Sequence, residues 1–190
     1  MQRLSGNAWT PPAGFARCAW DREGLLGDAP VWGRFWENPT LDPPTRRLFK
    51  TFRDAAARDL AARADAFDYG LIHADFVREN ILIDGGDIVL IDFDDGGWGF
   101  RLFDIATVLL KTVDDAGREA QKMALTRGYR NLRPLDLSAL DLFVALRAAT
   151  YVGWIVPRMA EEGAKARNRR FIETAIKACE TYLGDEPDLS

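Results

Sequence analysis

The chain has little sulfur and almost no imidazole: two cysteines, Cys18 and Cys179, and one histidine, His73, in 190 residues. Two thiols far apart and without C-x-x-C spacing exclude a cysteine-rich zinc site and point to a reducing compartment, the cytoplasm. The net charge of -4 is too small for either the basic footprint of a nucleic-acid binder or a polyacidic tail. No apolar signal-peptide core follows Met1, since the first residues run directly into Trp9-Thr10-Pro11-Pro12. Long uninterrupted apolar runs are missing too. The most apolar stretch, 137–156, carries Asp141 and Arg147, each costly at a bilayer centre, so it reads as a buried helix and no membrane partner is expected. What is plentiful is core material. At 47% hydrophobic and 28% charged, the chain has enough for one core and is too short for two full domains.

Residues 1–42 are rich in Pro, Gly and Trp and show no sustained period, which predicts an irregular segment. Trp9, Trp20, Trp32 and Trp36 lie in it, and rings of that size cannot bury themselves in a coil. They are expected to dock on the helical body or on a partner lobe. From Pro43-Pro44 onward the chain reads as one body, 43–190. Leu48, Phe52, Ala55, Ala56, Leu60 and Ala64 step by three and four, predicting an amphipathic helix that ends near Phe67. Residues 102–110 are apolar nearly all round apart from Asp104, the pattern of a central buried helix. Further helices are expected at about 115–131, 136–160 and 165–183, punctuated by Pro134, Gly163 and Gly184. The basic cluster Lys165, Arg167, Arg169 and Arg170 reads as a solvated helix face.

The densest chemistry lies between residues 73 and 95. His73-Ala74-Asp75 is followed by Asn80, then by two β-branched runs, Ile81-Leu82-Ile83 and Ile88-Val89-Leu90-Ile91, and then by Asp92-Phe93-Asp94-Asp95. The intervening Asp84-Gly85-Gly86-Asp87 is a hairpin signal. Strands that leave and return to one edge bring Asn80 and Asp92 side by side, where two oxygens can reach one hard cation. Loop capping, turn formation and hairpin capping are the plainer roles for the same residues. Consecutive acids at Asp94 and Asp95, ahead of Gly96-Gly97, can equally satisfy turn amides.

The spacing His-x-Asp-x-x-x-x-Asn, followed by Asp-Phe-x, resembles the catalytic and metal loops of kinases, and most closely those of the aminoglycoside phosphotransferase and choline kinase superfamily. Ala74 replaces the Arg of His-Arg-Asp, Asp94 replaces the Gly of Asp-Phe-Gly, no Ala-Pro-Glu follows, and Phe100-Arg101-Leu102-Phe103-Asp104-Ile105-Ala106 resembles the Asp-Leu-Ala helix that follows the metal Asp in that superfamily. The resemblance covers roughly 70–183, with 73–106 carrying nearly all of the specificity. It implies a fold that is α+β and predominantly helical, a kinase-like C-terminal lobe whose small β-hairpin carries the catalytic and metal loops. It implies Asp75 as the base that receives the acceptor hydroxyl proton, and Asn80 and Asp92 as magnesium ligands. Asp94 adds to the metal site on this view, or else Asp94 or Asp95 meets a cationic acceptor. His73 and Asp104 become structural supports of the loop. An isolated charge at Asp104 costs several kcal/mol unless paired, which fits a brace bonded to loop amides.

The same resemblance exposes a gap. Upstream of His73 there is no G-x-G-x-x-G, and one lysine, Lys50, which falls in a helical pattern and not on a strand. The nucleotide-clamping N-lobe is expected to be missing from this chain. Each charge-assisted bond to a phosphate contributes about 1.5–3 kcal/mol. Losing three removes roughly three to six decades of affinity for ATP. The expected reaction is transfer of the ATP γ-phosphoryl group, with Mg2+, to a hydroxyl of a small acceptor such as an amino sugar, amino alcohol or amino acid. A missing N-lobe or second chain is the expected partner. The alternatives are a non-catalytic kinase-like binding or regulatory module and, less well supported by the residues, a metal-dependent hydrolase using Asp75 and Asp92.

Overall fold

The computed structural model describes residues 12–111 and 116–184. In chain order the elements are β1 (Ala19–Trp20), α1 (Arg22–Leu26), α2 (Pro43–Arg63), β2 (Tyr69–Ile72), β3 (Ile81–Asp84), β4 (Asp87–Leu90), β5 (Gly97–Phe100), α3 (Arg101–Lys111), α4 (Arg118–Arg130), α5 (Leu140–Trp154) and α6 (Ala164–Gly184), with short 3-10 turns between some of them. The architecture is α+β and predominantly helical. The chain divides into two interleaved compact units: the segment ending at Trp20 with Phe67–Leu140, and Asp21–Ala66 with the chain from Asp141 onward.

The first unit holds both sheets. β5 lies between β1, to which it is parallel, and β2, to which it is antiparallel, while β3 and β4 form a separate antiparallel hairpin. The hairpin forms where turn chemistry predicts it. Gly85 and Gly86 both sit at positive φ, as a tight two-residue loop requires, and Asp84 pairs with Asp87 across it. The two β-branched runs face solvent to an unusual degree: Ile83 is 76% and Ile88 70% exposed, with Leu82, Val89 and Ile91 also exposed. α3 is the central helix its composition predicts. Leu102, Phe103, Ile105, Ala106, Leu109 and Leu110 are all buried.

The second unit is built on α2 and α6. Asp42 caps the start of α2 by accepting the Thr45 amide at 2.8 Å. The buried stripe of α2 runs through Phe49, Phe52, Ala55, Ala56 and Leu60. Leu48, expected on that stripe, is only half-buried. Phe49 takes its place because a larger ring fills the space, meeting Phe35 edge-on at 5.8 Å. The Trp-rich segment docks in cis where it is described: Trp36 packs against Phe35 at 4.9 Å, and Trp32 against Tyr151 at 5.6 Å. Trp9 lies outside the described residues.

A buried amide network ties the early and late halves of this unit. Asn38 donates to the Val152 carbonyl at 2.8 Å and to Asn168 Oδ1 at 2.9 Å, and it accepts from Thr40 N at 3.0 Å and from the Thr40 hydroxyl at 2.8 Å. Among the described residues, one helical stretch, Leu140–Arg158, is long and apolar enough to cross a membrane, and 72% of it is buried inside the protein, as in a core helix. Both cysteines are free thiols, and burial pushes the Cys179 thiol well above its ordinary value, so it behaves as a small apolar core residue.

Candidate active site

The predicted site residues all lie in the first unit, on β2, the hairpin, β5, α3 and the loops that join them, and the structure brings Asp75 to Asn80, His73 to the Ile91 carbonyl and Asp104 to the amides of His73 and Ala74. β2 ends at Ile72, and the chain turns sharply at Ala74, whose φ of 63° places an alanine in the left-handed region. That conformation costs a non-glycine residue roughly 1–2 kcal/mol. Asp104, in the first turn of α3, holds it in place. Its Oδ2 accepts the His73 amide at 2.9 Å and its Oδ1 accepts the Ala74 amide at 2.8 Å. The carboxyl is 2% exposed, so both bonds lie away from water. The clamp fixes two consecutive peptide planes, 72–73 and 73–74, one peptide short of Asp75.

Ala74→Gly follows as a test of the stored strain. Glycine removes the left-handed penalty but adds unfolded-chain entropy of about 0.4–1 kcal/mol, so the variant is expected to be neutral or up to ~1 kcal/mol more stable in denaturant unfolding. A loss of stability like that of an ordinary Ala→Gly change would show that position 74 is unstrained.

Asp75 is half-buried and in direct contact with Asn80. The 3-10 turn Arg78–Asn80 curls the chain back, and the Asn80 amide nitrogen donates to the Asp75 carbonyl at 3.0 Å and to its Oδ2 at 3.2 Å. With Nδ2 so engaged, the Asn80 side chain is held against Asp75. The hairpin returns as predicted. Ile81 pairs with Leu90, and the Ile91 amide donates to the Asn80 carbonyl at 3.1 Å, which puts Asp92 one residue beyond the partner of Asn80. Asp92 is the second non-glycine residue at positive φ, 59°. Strained backbone of this kind concentrates at functional sites.

His73 joins the two loops. Its Nε2 lies 2.9 Å from the Ile91 carbonyl, which can only accept, so Nε2 carries the proton. The ring tilts against Phe93 at 4.6 Å and stacks on Phe76 at 5.9 Å. Asp94 is exposed and Asp95 half-buried on the turn before β5, where the Gly96 amide donates to the Phe93 carbonyl at 2.9 Å. Sequence reasoning did not anticipate the contacts to this turn from Arg17 and Trp20, far upstream. Nothing local in the sequence signals a bond across such a separation.

The donor set can be weighed against the ion expected there. Among the described residues, no group of three or more His, Cys, Asp or Glu side chains is gathered for a metal. A magnesium ion needs less. It keeps several waters and is usually held by one or two protein oxygens plus substrate phosphates. By chemistry the Asn80 carboxamide oxygen and the Asp92 carboxylate are hard donors of the kind such an ion takes, and two of them are too few for an all-protein cage or the two-metal centre of a hydrolase.

Residues 9–143 match the profile of the APH phosphotransferase enzyme family. The chain belongs to that family. Homoserine kinase of Neisseria meningitidis is 32% identical to this phosphotransferase-family chain over 96 residues, which are 48% of the chain and 32% of the kinase. A microcompartment-associated aminopropanol kinase superposes with a TM-score of 0.82 at 30% identity over 96% of the chain and 58% of its own length. A choline kinase from Streptococcus pneumoniae shares the fold at a TM-score of 0.64 and 17% identity, over 95% of the chain and 60% of the choline kinase. The chain thus spans about a third of the curated kinase's length and under two thirds of each solved one. Its fold is the kinase-like C-terminal lobe of the aminoglycoside phosphotransferase and choline kinase superfamily.

Proposed function

We propose that this chain is the catalytic and metal-bearing lobe of a small-molecule kinase, which transfers the γ-phosphoryl group of ATP to a hydroxyl of a small acceptor. The observation that carries the reading is the joint geometry of Asp75, Asn80 and Asp92, set on two adjacent loops with Asp104 clamping the first of them. Asp75 accepts the acceptor's hydroxyl proton, oriented by the Asn80 amide. Asn80 Oδ1 and Asp92 would hold magnesium, which when bound neutralises charge on the transferred phosphoryl group. His73 and Asp104 keep the two loops in register. The names of two relatives, an aminopropanol kinase and a homoserine kinase, favour an acceptor that carries an amine as well as a hydroxyl. Asp94, which is exposed, would meet that amine, and a cytoplasmic location suits the ATP supply.

The reading includes a partner. The apolar hairpin, with Ile83 and Ile88 more than two-thirds exposed, is poorly suited to water and well suited to being covered. An N-lobe, on the same polypeptide or a second one, would cover it and bring the phosphate-clamping loop and lysine that this sequence lacks. Calorimetric titration of the chain with ATP, with and without magnesium and with Asp92→Asn as the control, tests the assignment. Weak binding at millimolar ATP that needs both magnesium and Asp92 is expected. Binding indifferent to either would sink the metal assignment, and no heat at all would favour a non-catalytic kinase-like module.

A further inference from the structure

We propose that residues Arg17–Trp20 form a strap that sets the backbone of the Asp92–Asp95 loop and, through it, the affinity of that loop for a divalent cation. The cation clause rests on the function proposed above; the backbone clause stands on the geometry alone. Three consecutive carbonyls of the loop accept from side chains of this one upstream segment. Arg17 donates through Nη2 to Phe93 O at 3.4 Å and through Nη1 to Asp94 O at 3.2 Å, and the Trp20 indole donates to Asp95 O at 2.8 Å. Cys18 Sγ adds a weak contact to the same Asp95 carbonyl at 3.8 Å.

The strap itself is held tightly. Trp20 is completely buried, and its ring stacks on Phe103 at 5.4 Å, the residue next to the clamp carboxyl Asp104. β1 runs parallel to β5 with Ala19 opposite Trp98 and Trp20 opposite Gly99, and the Trp98 amide donates to Cys18 O at 3.2 Å. Glycine at 97 and 99 is what permits this approach. A Cβ at Gly97 would lie 2.2 Å from Cys18 O, and one at Gly99 would lie 2.8 Å from Trp20 Cβ. There is no lateral slack between strap and strand.

The consequence falls on Asp92. A left-handed aspartate keeps its conformation only if the surrounding chain over-determines it. His73 grips the residue before it through the Ile91 carbonyl, and the strap grips the three residues after it. Of the strap contacts, the indole bond is the strong one, being short and part-buried, whereas the Arg17 bonds are longer and exposed to solvent. Trp20 is therefore the principal positioning residue, and Arg17 its auxiliary.

Two variants of the full chain separate this role from general stability. Trp20→Phe keeps a ring against Phe103 and removes the donor. Arg17→Ala alters only an exposed side chain and stays informative should the core variant fold poorly. The first readout is hydrogen exchange at the Gly96 amide, which closes the turn on Phe93 O; the second is Mn2+ affinity from water-proton relaxation, with Asp92→Asn marking the site. Trp20→Phe is expected to speed Gly96 exchange at least tenfold, leave exchange in α5 and α6 unchanged, and weaken Asp92-dependent Mn2+ binding about tenfold. Arg17→Ala is expected to shift both in the same direction by less. Unchanged Gly96 exchange overturns the strap, and faster exchange with unchanged Mn2+ affinity overturns its positioning role. Should the unaltered chain show no Asp92-dependent Mn2+ binding, the functional reading fails and the positioning clause with it, while Gly96 exchange still decides whether the strap holds the backbone.

Discussion

Asp104→Asn is expected to lower the free energy of unfolding by about 3–5 kcal/mol, the largest stability effect of any single substitution at the site. The carboxyl presents two acceptor atoms to two adjacent amides, His73 N and Ala74 N, in a setting that is almost dry. Asparagine keeps one of those acceptors. Its NH2 group must face the second amide, so that two donors oppose each other where one charge-assisted bond was. Neither group can turn to water, and the left-handed Ala74 loses the anchor that offsets its strain. Denaturant unfolding with an unchanged slope and a midpoint shifted by that amount is the expected record, together with a fall in melting temperature of roughly 10 °C. A loss below about 1 kcal/mol, the size of an ordinary neutral hydrogen bond, would show that the clamp is not what holds the turn.

Asp75→Asn should do the reverse, sparing the fold and removing the chemistry. Asparagine is isosteric and still offers an oxygen to the Asn80 amide, so the 3.2 Å contact can persist and stability should change little. A carboxamide cannot take the acceptor's proton. In a preparation that includes the N-lobe and turns over, kcat is expected to fall by about 10²–10⁴ with nucleotide affinity nearly unchanged. Because the lost interaction forms as the proton moves, kcat and kcat/KM should fall together. Coupled nucleotide turnover with a panel of small amino alcohols and hydroxy amino acids measures both constants. A decrease of less than tenfold would remove Asp75 from the role of base.

Much of the local structure was legible in the sequence because its causes are local. The hairpin follows from two β-branched runs around Asp84-Gly85-Gly86-Asp87, and its register sets Asn80 against Ile91, the residue before Asp92. The long helix from Pro43 and the buried helix around Asp104 follow from apolar periodicity. That Asp104 needs donors was readable because a lone acid in an apolar helix must find them, and the family resemblance pointed to the loop amides as those donors. What could not be read has non-local causes. The choice of Phe49 over Leu48 depends on the Phe35 ring across the unit. The left-handed turn at 74 is carried by an alanine, which announces nothing, and the bonds from Arg17 and Trp20 span more than seventy residues. No shift of composition marks the divisions at Trp20, Ala66 and Leu140.

Interleaving the two units has a consequence for how the polypeptide is made. Asn38 leaves the ribosome 130 residues before its partner Asn168, a delay of roughly ten seconds at ordinary elongation rates. Throughout that interval the aromatic face of α2 has no α6 to lie against. The sheet that leads into the His73–Asp75 turn can close as soon as Phe100 emerges, since Trp20 and Tyr69 are already waiting for β5. The nascent chain therefore completes its candidate site first, while Phe49 and Phe52 remain the surface a chaperone would grasp.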